Sequence, residues 1–137
     1  MRAVTYAAKV VEGYPDDWVL TFPDVPEAIT GGDTRERAIE LASDALAGAL
    51  EEYLNRGWDL PPASSPGDFE VVVEPALAAR FLVQAAMKAE HLTKRGLAQR
   101  LGRDERVVHR ILSGSNVSLD LVLKVLAQLG VHPALAV

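Results

Sequence analysis

The 137-residue sequence predicts an α+β protein in which a β-β-β-α-β half precedes an all-α half. Three observations predict it. Between Val4 and Phe22, small and β-branched runs flank a turn rich in Gly, Pro and Asp. From Ala38 to Leu54, apolar residues recur at helical spacing. From Leu92 to Gly130, the chain carries the spacing of a helix-turn-helix.

The elements follow in order. Val4–Val11 reads as a strand, residues 12–17 as a turn, and Trp18–Phe22 as a second strand paired with the first in a hairpin. Pro23 and Pro26 break it. Ile29-Thr30 reads as a short third strand. Either Asp33 or Thr34 caps the next helix, and Glu36 stands at capping-box spacing from Asp33. Ala38, Ile39, Ala42, Leu46, Leu50, Tyr53 and Leu54 form one apolar stripe, which the hairpin is expected to cover, and Gly57 ends the helix. Pro61–Gly67 has the composition of a linker, and Phe69–Val73 reads as a fourth strand.

The stretch from Trp18 to Ser64 resembles the N-terminal domain of HicB-family antitoxins. Trp18 to Phe22, then Pro23-Asp24-Val25-Pro26, then Gly32-Asp33-Thr34, then the helix and a Pro-containing exit follow that family's pattern in order. Where family members often carry Gly-Cys, this chain has Glu27-Ala28. The resemblance implies a partial ribonuclease-H-like domain without nuclease activity, with the strand after Gly67 in the same sheet. It therefore moves the domain boundary from the Pro-rich stretch to residues 74–75, giving a toxin-binding domain over 1–74 and a helical domain over 75–137. It also implies a partner toxin of the HicA type, which cleaves mRNA, and repression of the operon encoding both.

In the second half, Pro75 suits the first turn of a helix running to about Glu90. Thr93 reads as the N-cap of Lys94–Leu101, Gly102 as the turn, and Asp104 as the cap of a second helix, Glu105–Leu112, that Gly114 ends. Ala98, small enough for a close helix crossing, and Val108 supply the core with Leu97, Leu101 and Ile111. Ser118 opens a last helix that Gly130 stops. The series resembles the lambda-repressor-like, or Xre-type, helix-turn-helix. Arg103 departs from that pattern, which often has a small or apolar residue there, and an arginine buried at that point needs a partner.

Such a unit presents its second helix to the major groove. Arg106 and Arg110, four residues apart, share one helix face. A bidentate Arg–guanine contact discriminates bases by about 1–3 kcal/mol. By resemblance, Glu105, Arg106 and Arg110 occupy base-reading positions; Glu105 either accepts from cytosine or pairs with His109. Lys94, Arg95, Ser113, Ser115 and Asn116 are expected at phosphates, with Arg103 and His109 in reach of the backbone, although His109 and Ser115 fit an ordinary surface equally well. Two-fold dimers place recognition helices about 34 Å apart, so a homodimer or higher even oligomer is expected. The apolar tail 131–137 suits either the dimer axis or its own domain.

Charge divides with the halves. Residues 1–74 hold 5 Lys/Arg against 15 Asp/Glu, a formal −10, and residues 75–137 hold 9 against 4, a formal +5. An acidic half has a steering advantage toward a basic RNA-cleaving protein, and a basic half toward DNA. On the acidic half the candidate toxin contacts are Trp18, Phe22, Asp24 and Glu27, with Trp18 and Phe22 equally suited to the core.

The sequence argues against an enzyme. Asp16 and Asp17 fall in a turn and Asp33 at a helix cap, so their carboxylates have local explanations short of a metal site. His91, His109 and His132 lack ligand spacing, and Ser64-Ser65 has no nearby histidine pattern. No catalytic residue, metal or cofactor is expected. The absence of cysteine, of a long apolar run and of a signal-like N-terminus fits a cytoplasmic protein. The expected function is an antitoxin that also represses its own operon; the alternative is a stand-alone repressor whose N-terminal domain binds a small effector.

Overall fold

The computed structural model describes residues 4–13, 17–113 and 117–132. Its elements run β1 (Thr5–Gly13), β2 (Asp17–Thr21), β3 (Ile29–Gly32), α1 (Arg35–Asn55), β4 (Phe69–Val72), α2 (Pro75–Ala89), α3 (Lys94–Leu101), α4 (Glu105–Ser113) and α5 (Leu119–Gln128). The chain is thus mixed α+β, with a four-stranded antiparallel sheet in the order β3-β2-β1-β4 and five helices among the described residues. It divides into two compact units, one of residues 3–52 with 60–74, the other of residues 1–2, 53–59 and 75–137.

In the first unit, β1 is the pivot of the sheet. It pairs with β2 through Val10↔Leu20 and with β4 through Tyr6↔Val71. Because side chains alternate along a strand, Tyr6, Ala8, Trp18, Leu20 and Val71 share one face. Tyr6, Ala8, Leu20 and Val71 are buried on it, and Ala38, Ala42, Leu46 and Leu50 form the buried stripe of α1. The two apolar surfaces make the core. Thr34 caps α1: its Oγ1 accepts from the Arg37 N–H at 3.1 Å, which settles the choice between Asp33 and Thr34. Val25 N–H donates to Phe22 O and Ala28 N–H to Val25 O, so the residues around Glu27-Ala28 turn tightly into β3 with Ala28 buried.

Residues 60–68 have a linker's composition and lie mostly at the surface, but hydrogen bonds hold them in place. Tyr6 Oη donates to Pro61 O at 2.6 Å. Burial, and then the charge of Asp24, push the Tyr6 hydroxyl up to about 12. Gly67 lies so close to β1 that a Cβ there would sit 2.9 Å from the Ala7 Cβ and 2.7 Å from Ala8 O. Proline restricts the backbone of this stretch, and the sheet edge supplies the rest of its order.

In the second unit, Ala79, Val83 and Met87 of α2 pack with Leu97, Ala98 and Leu101 of α3, Val108, Ile111 and Leu112 of α4, and Val122, Val125 and Leu126 of α5. Thr93 caps α3 through Gly96 N–H, and Ser118 caps α5 through Leu121 N–H. Gly102 closes α3 at φ +64°, and the Arg103 N–H reaches back to Ala98 O at 3.0 Å. Arg103 itself is exposed, so the position needs no buried partner. Residues 14–16, where a turn is expected, Gly114, Ser115, Asn116 and residues 133–137 of the tail lie outside the described residues.

Candidate nucleic-acid and partner surfaces

The α3–α4 pair carries most of the residues singled out for DNA. Val108, Ile111 and Leu112 commit one side of α4 to the core, which leaves Glu105, Arg106, His109 and Arg110 exposed on the other. Lys94, Arg95 and Arg103 are also exposed, and Ser113 is half-buried. Arg106, Arg110, Val107 and Asp104 border one shallow depression.

Asp104 has two roles at the start of α4. Its Oδ1 accepts from the Arg106 N–H at 2.8 Å, which caps the helix. Its two oxygens also receive Arg106 Nε and Nη2 at 3.2 and 3.1 Å. The Arg106 side chain and N–H hold the Asp104 carboxyl below the ordinary carboxylate value, and the carboxylate raises the Arg106 guanidinium in turn. Arg106 is 89% exposed in this pair, so solvent screens it and release to another partner is easy.

His109 turns toward α3. Lys94 Nζ lies 3.5 Å from its Nδ1, and Ser113 Oγ lies 3.2 Å from its Nε2 while donating to His109 O at 3.0 Å. These contacts stand in place of the His109–Glu105 pair that spacing alone allowed.

Sequence reasoning passed over two buried polar side chains of α2. Arg80 is 5% exposed, and its Nε donates to Ile111 O, in the last turn of α4, at 2.6 Å. A guanidinium here satisfies a carbonyl at the helix end where the macrodipole is negative. Gln84, also buried, donates Nε2 to Trp58 O at 2.8 Å, and Lys88 Nζ reaches Gly57 O at 2.7 Å. The signal was present: 80 and 84 fall in phase with Leu77, Phe81 and Met87, so polar residues stand where the helix period demands burial.

The candidate partner residues scatter. Phe22 is buried, 1% exposed, and presents no surface. Trp18 is half-buried on the face it shares with Leu20, and Glu27 is exposed. Asp24 accepts from the N–H groups of Ser64 and Ser65, both at 3.0 Å, and from their hydroxyls at 3.3 and 2.7 Å. These bonds, those from Ser65 foremost, hold its carboxyl below the ordinary value. Asp24 therefore pins the returning segment. The opposite face of the sheet leaves Val11, Val19, Ile29 and Val72 exposed. Among the described residues, no group of three or more His, Asp or Glu is placed to hold a metal, and no helix is long and apolar enough to cross a membrane.

Residues 5–90 match the family model for the HicB-like antitoxin of bacterial toxin-antitoxin systems. This chain belongs to the HicB-like antitoxin family. The matched stretch runs from β1 to the end of α2 and stops short of α3. Among curated HicB antitoxins, Antitoxin HicB 2 of Photorhabdus laumondii subsp. laumondii is 37% identical over 116 residues, covering 84% of each chain. Antitoxin HicB of Escherichia coli K12 is 31% identical over 98 residues, covering 70% of this chain and 71% of its own. Antitoxin HicB of Pseudomonas fluorescens is 33% identical over 130 residues, covering 91% of this chain and 88% of its own. The likeness to HicB relatives thus extends through the helical unit, beyond the stretch the family model covers.

Proposed function

We propose that this HicB-like chain neutralises a basic, HicA-type mRNA-cleaving toxin by direct binding and represses its own operon by binding operator DNA. Residues 1–74 are the toxin-binding domain, on a partial ribonuclease-H-like fold, and residues 75–137 the DNA-binding domain. Neither role is enzymatic: the first covers a toxin surface and the second occupies DNA. The observation that carries the reading is the exposed cationic face of α4, Arg106 and Arg110 flanked by Lys94 and Arg95, on the basic half of an antitoxin-family chain.

On this reading α3–α4 is a lambda-repressor-like helix-turn-helix. Arg106, Arg110 and Glu105 face base edges, and Lys94, Arg95, Arg103, His109, Ser113, Ser115 and Asn116 hold the phosphate backbone. Asp104 fixes where Arg106 starts its reach. Two copies form a homodimer that sets two α4 helices into successive major grooves. Trp18 and Glu27 meet the toxin at the surface, with Phe22 and Asp24 supporting them from behind. The acidic half speeds encounter with a basic partner.

The test pairs two assays on the full chain. Arg106→Ala with Arg110→Ala is expected to abolish footprinting of the DNA upstream of the gene and leave co-purification with the adjacent-gene product, and block of its RNA cleavage, intact. A double variant that still footprints overturns the recognition-helix assignment. Failure of the unchanged chain to block cleavage overturns the antitoxin role.

A further inference from the structure

The Asp104–Arg106 pair uses one edge of the guanidinium and not the other. Asp104 Oδ1 receives Arg106 Nε at 3.2 Å and Oδ2 receives Nη2 at 3.1 Å, which is the side edge of the fork. The end edge, with parallel N–H groups on Nη1 and Nη2, takes no part in the pair. The same Oδ1 accepts the Arg106 N–H at 2.8 Å, so the carboxylate is itself fixed to the first turn of α4. Backbone, carboxylate and guanidinium form one closed unit at the end of α4 that, on the DNA-binding reading, enters the groove first.

Stability does not explain that unit. The Arg106 side chain is 89% exposed and that of Asp104 52%, so the ion pair adds little in solvent, and the cap needs only Oδ1. Recognition does explain it. Two parallel donors match guanine, whose O6 and N7 both accept in the major groove. Adenine offers N7 as an acceptor but N6–H2 as a donor, which opposes one of them. An arginine without a brace swings on a flexible stem and spends its charge on any phosphate within reach. One held in place has lost that freedom before DNA arrives, so less is lost on binding. Water leaving the interface strengthens the pair, because the local dielectric falls. Reading through the end edge requires no release from Asp104.

We infer that Asp104 is a positioning residue that determines specificity: by holding the side edge of Arg106, it commits the end edge to guanine at one position of each operator half-site. This rests on the DNA-binding reading of α4 and deepens it. Asp104 touches no base and acts through Arg106.

The experiment selects duplexes from a randomised pool with the full chain, then measures affinity for the selected duplex and for duplexes changed at one base pair. The unchanged chain is expected to prefer guanine over adenine by about tenfold or more at one position of each half-site. Arg106→Lys, a cation without the fork, is expected to be indifferent there. Asp104→Asn and Asp104→Ser each keep a capping oxygen and lose the paired carboxylate. Both are expected to lose about tenfold of the guanine preference at that same position. Their affinity for unrelated duplex is expected to hold or rise, because a negative charge has left a DNA-facing surface. Neither is expected to change base preference further when combined with Arg106→Lys. A residue that only caps α4 would instead weaken every duplex alike. Guanine preference kept in both Asp104 variants, equal weakening on all duplexes, or no guanine position that depends on Arg106 overturns the inference and leaves the DNA reading in place. A chain that selects no duplex overturns both.

Discussion

Two single residues report on how this chain balances strain and charge. His91 adopts φ +53°, the left-handed region, at the end of α2, where its N–H donates to Lys88 O and the Leu92 N–H reaches Met87 O. Glycine is the usual occupant of such a cap, because a Cβ there costs about 1 kcal/mol. His91→Gly is expected to raise stability by about 1 kcal/mol in urea unfolding, with no loss of fold. Asp24 is the second case. Its folded-state carboxyl is depressed by hydrogen bonds from Ser65 and Ser64, so its contribution is complete above the ordinary value of 3.8 and is lost as pH falls below it. Asp24→Asn is thus expected to be destabilised at pH 7, with the gap to the unchanged chain closing in acid below pH 4. A gap independent of pH refutes the linkage.

At the scale of elements, periodicity carried most of the fold. Small and β-branched runs about a turn located β1 and β2, the stripe from Ala38 to Leu54 located α1, and Thr93, Gly102 and Ser118 marked the helix ends. What escaped depended on contacts far apart in sequence. Pro61–Gly67 resembles a linker in composition, and only the bonds from Tyr6 to Pro61 and from Ser64 and Ser65 to Asp24 show it tied to β1 and to the loop after β2. Strand alternation puts Trp18 and Phe22 on the side of Leu20, away from Val19; of the two roles the sequence left equally open, Phe22 takes the core and Trp18 is half-buried. The cationic face of α4 was legible from spacing, but the turn of His109 toward Lys94 was not, because it depends on how α3 crosses α4. Arg80 is the energetic consequence at this scale. Arg80→Met removes a buried charged donor and leaves Ile111 O without it, at an expected cost of about 2 kcal/mol in urea unfolding. An unchanged midpoint refutes a structural role for that bond.

For the whole molecule, the charge divides by half: −10 over residues 1–74 and +5 over residues 75–137. On the proposed function it suits two partners of opposite charge, and both associations are expected to depend on ionic strength. Raising salt from 50 to 200 mM is expected to slow association with the toxin while leaving its dissociation nearly constant, because long-range steering acts on encounter. The same change is expected to weaken duplex binding at least tenfold, since phosphate neutralisation by Lys and Arg releases counterions. Stopped-flow association and a salt titration of DNA affinity check the two halves separately. Toxin association indifferent to salt refutes the steering argument.

The sheet register has one more consequence, which concerns synthesis. β1 pairs with β4 through Thr5↔Val72, so the first strand of the chain waits for the last strand of its unit. A ribosome adding about 5–20 residues per second takes several seconds to make that interval, during which β1 has β2 beside it but an open second edge. Once residue 74 has been added, every strand of the sheet has been made while the residues of α2 to α5 are still to be translated. On the proposed reading, every strand of the toxin-facing sheet is made before any of the DNA-reading helices. On that reading, an antitoxin made in this order is ready to neutralise before it is ready to silence its own gene.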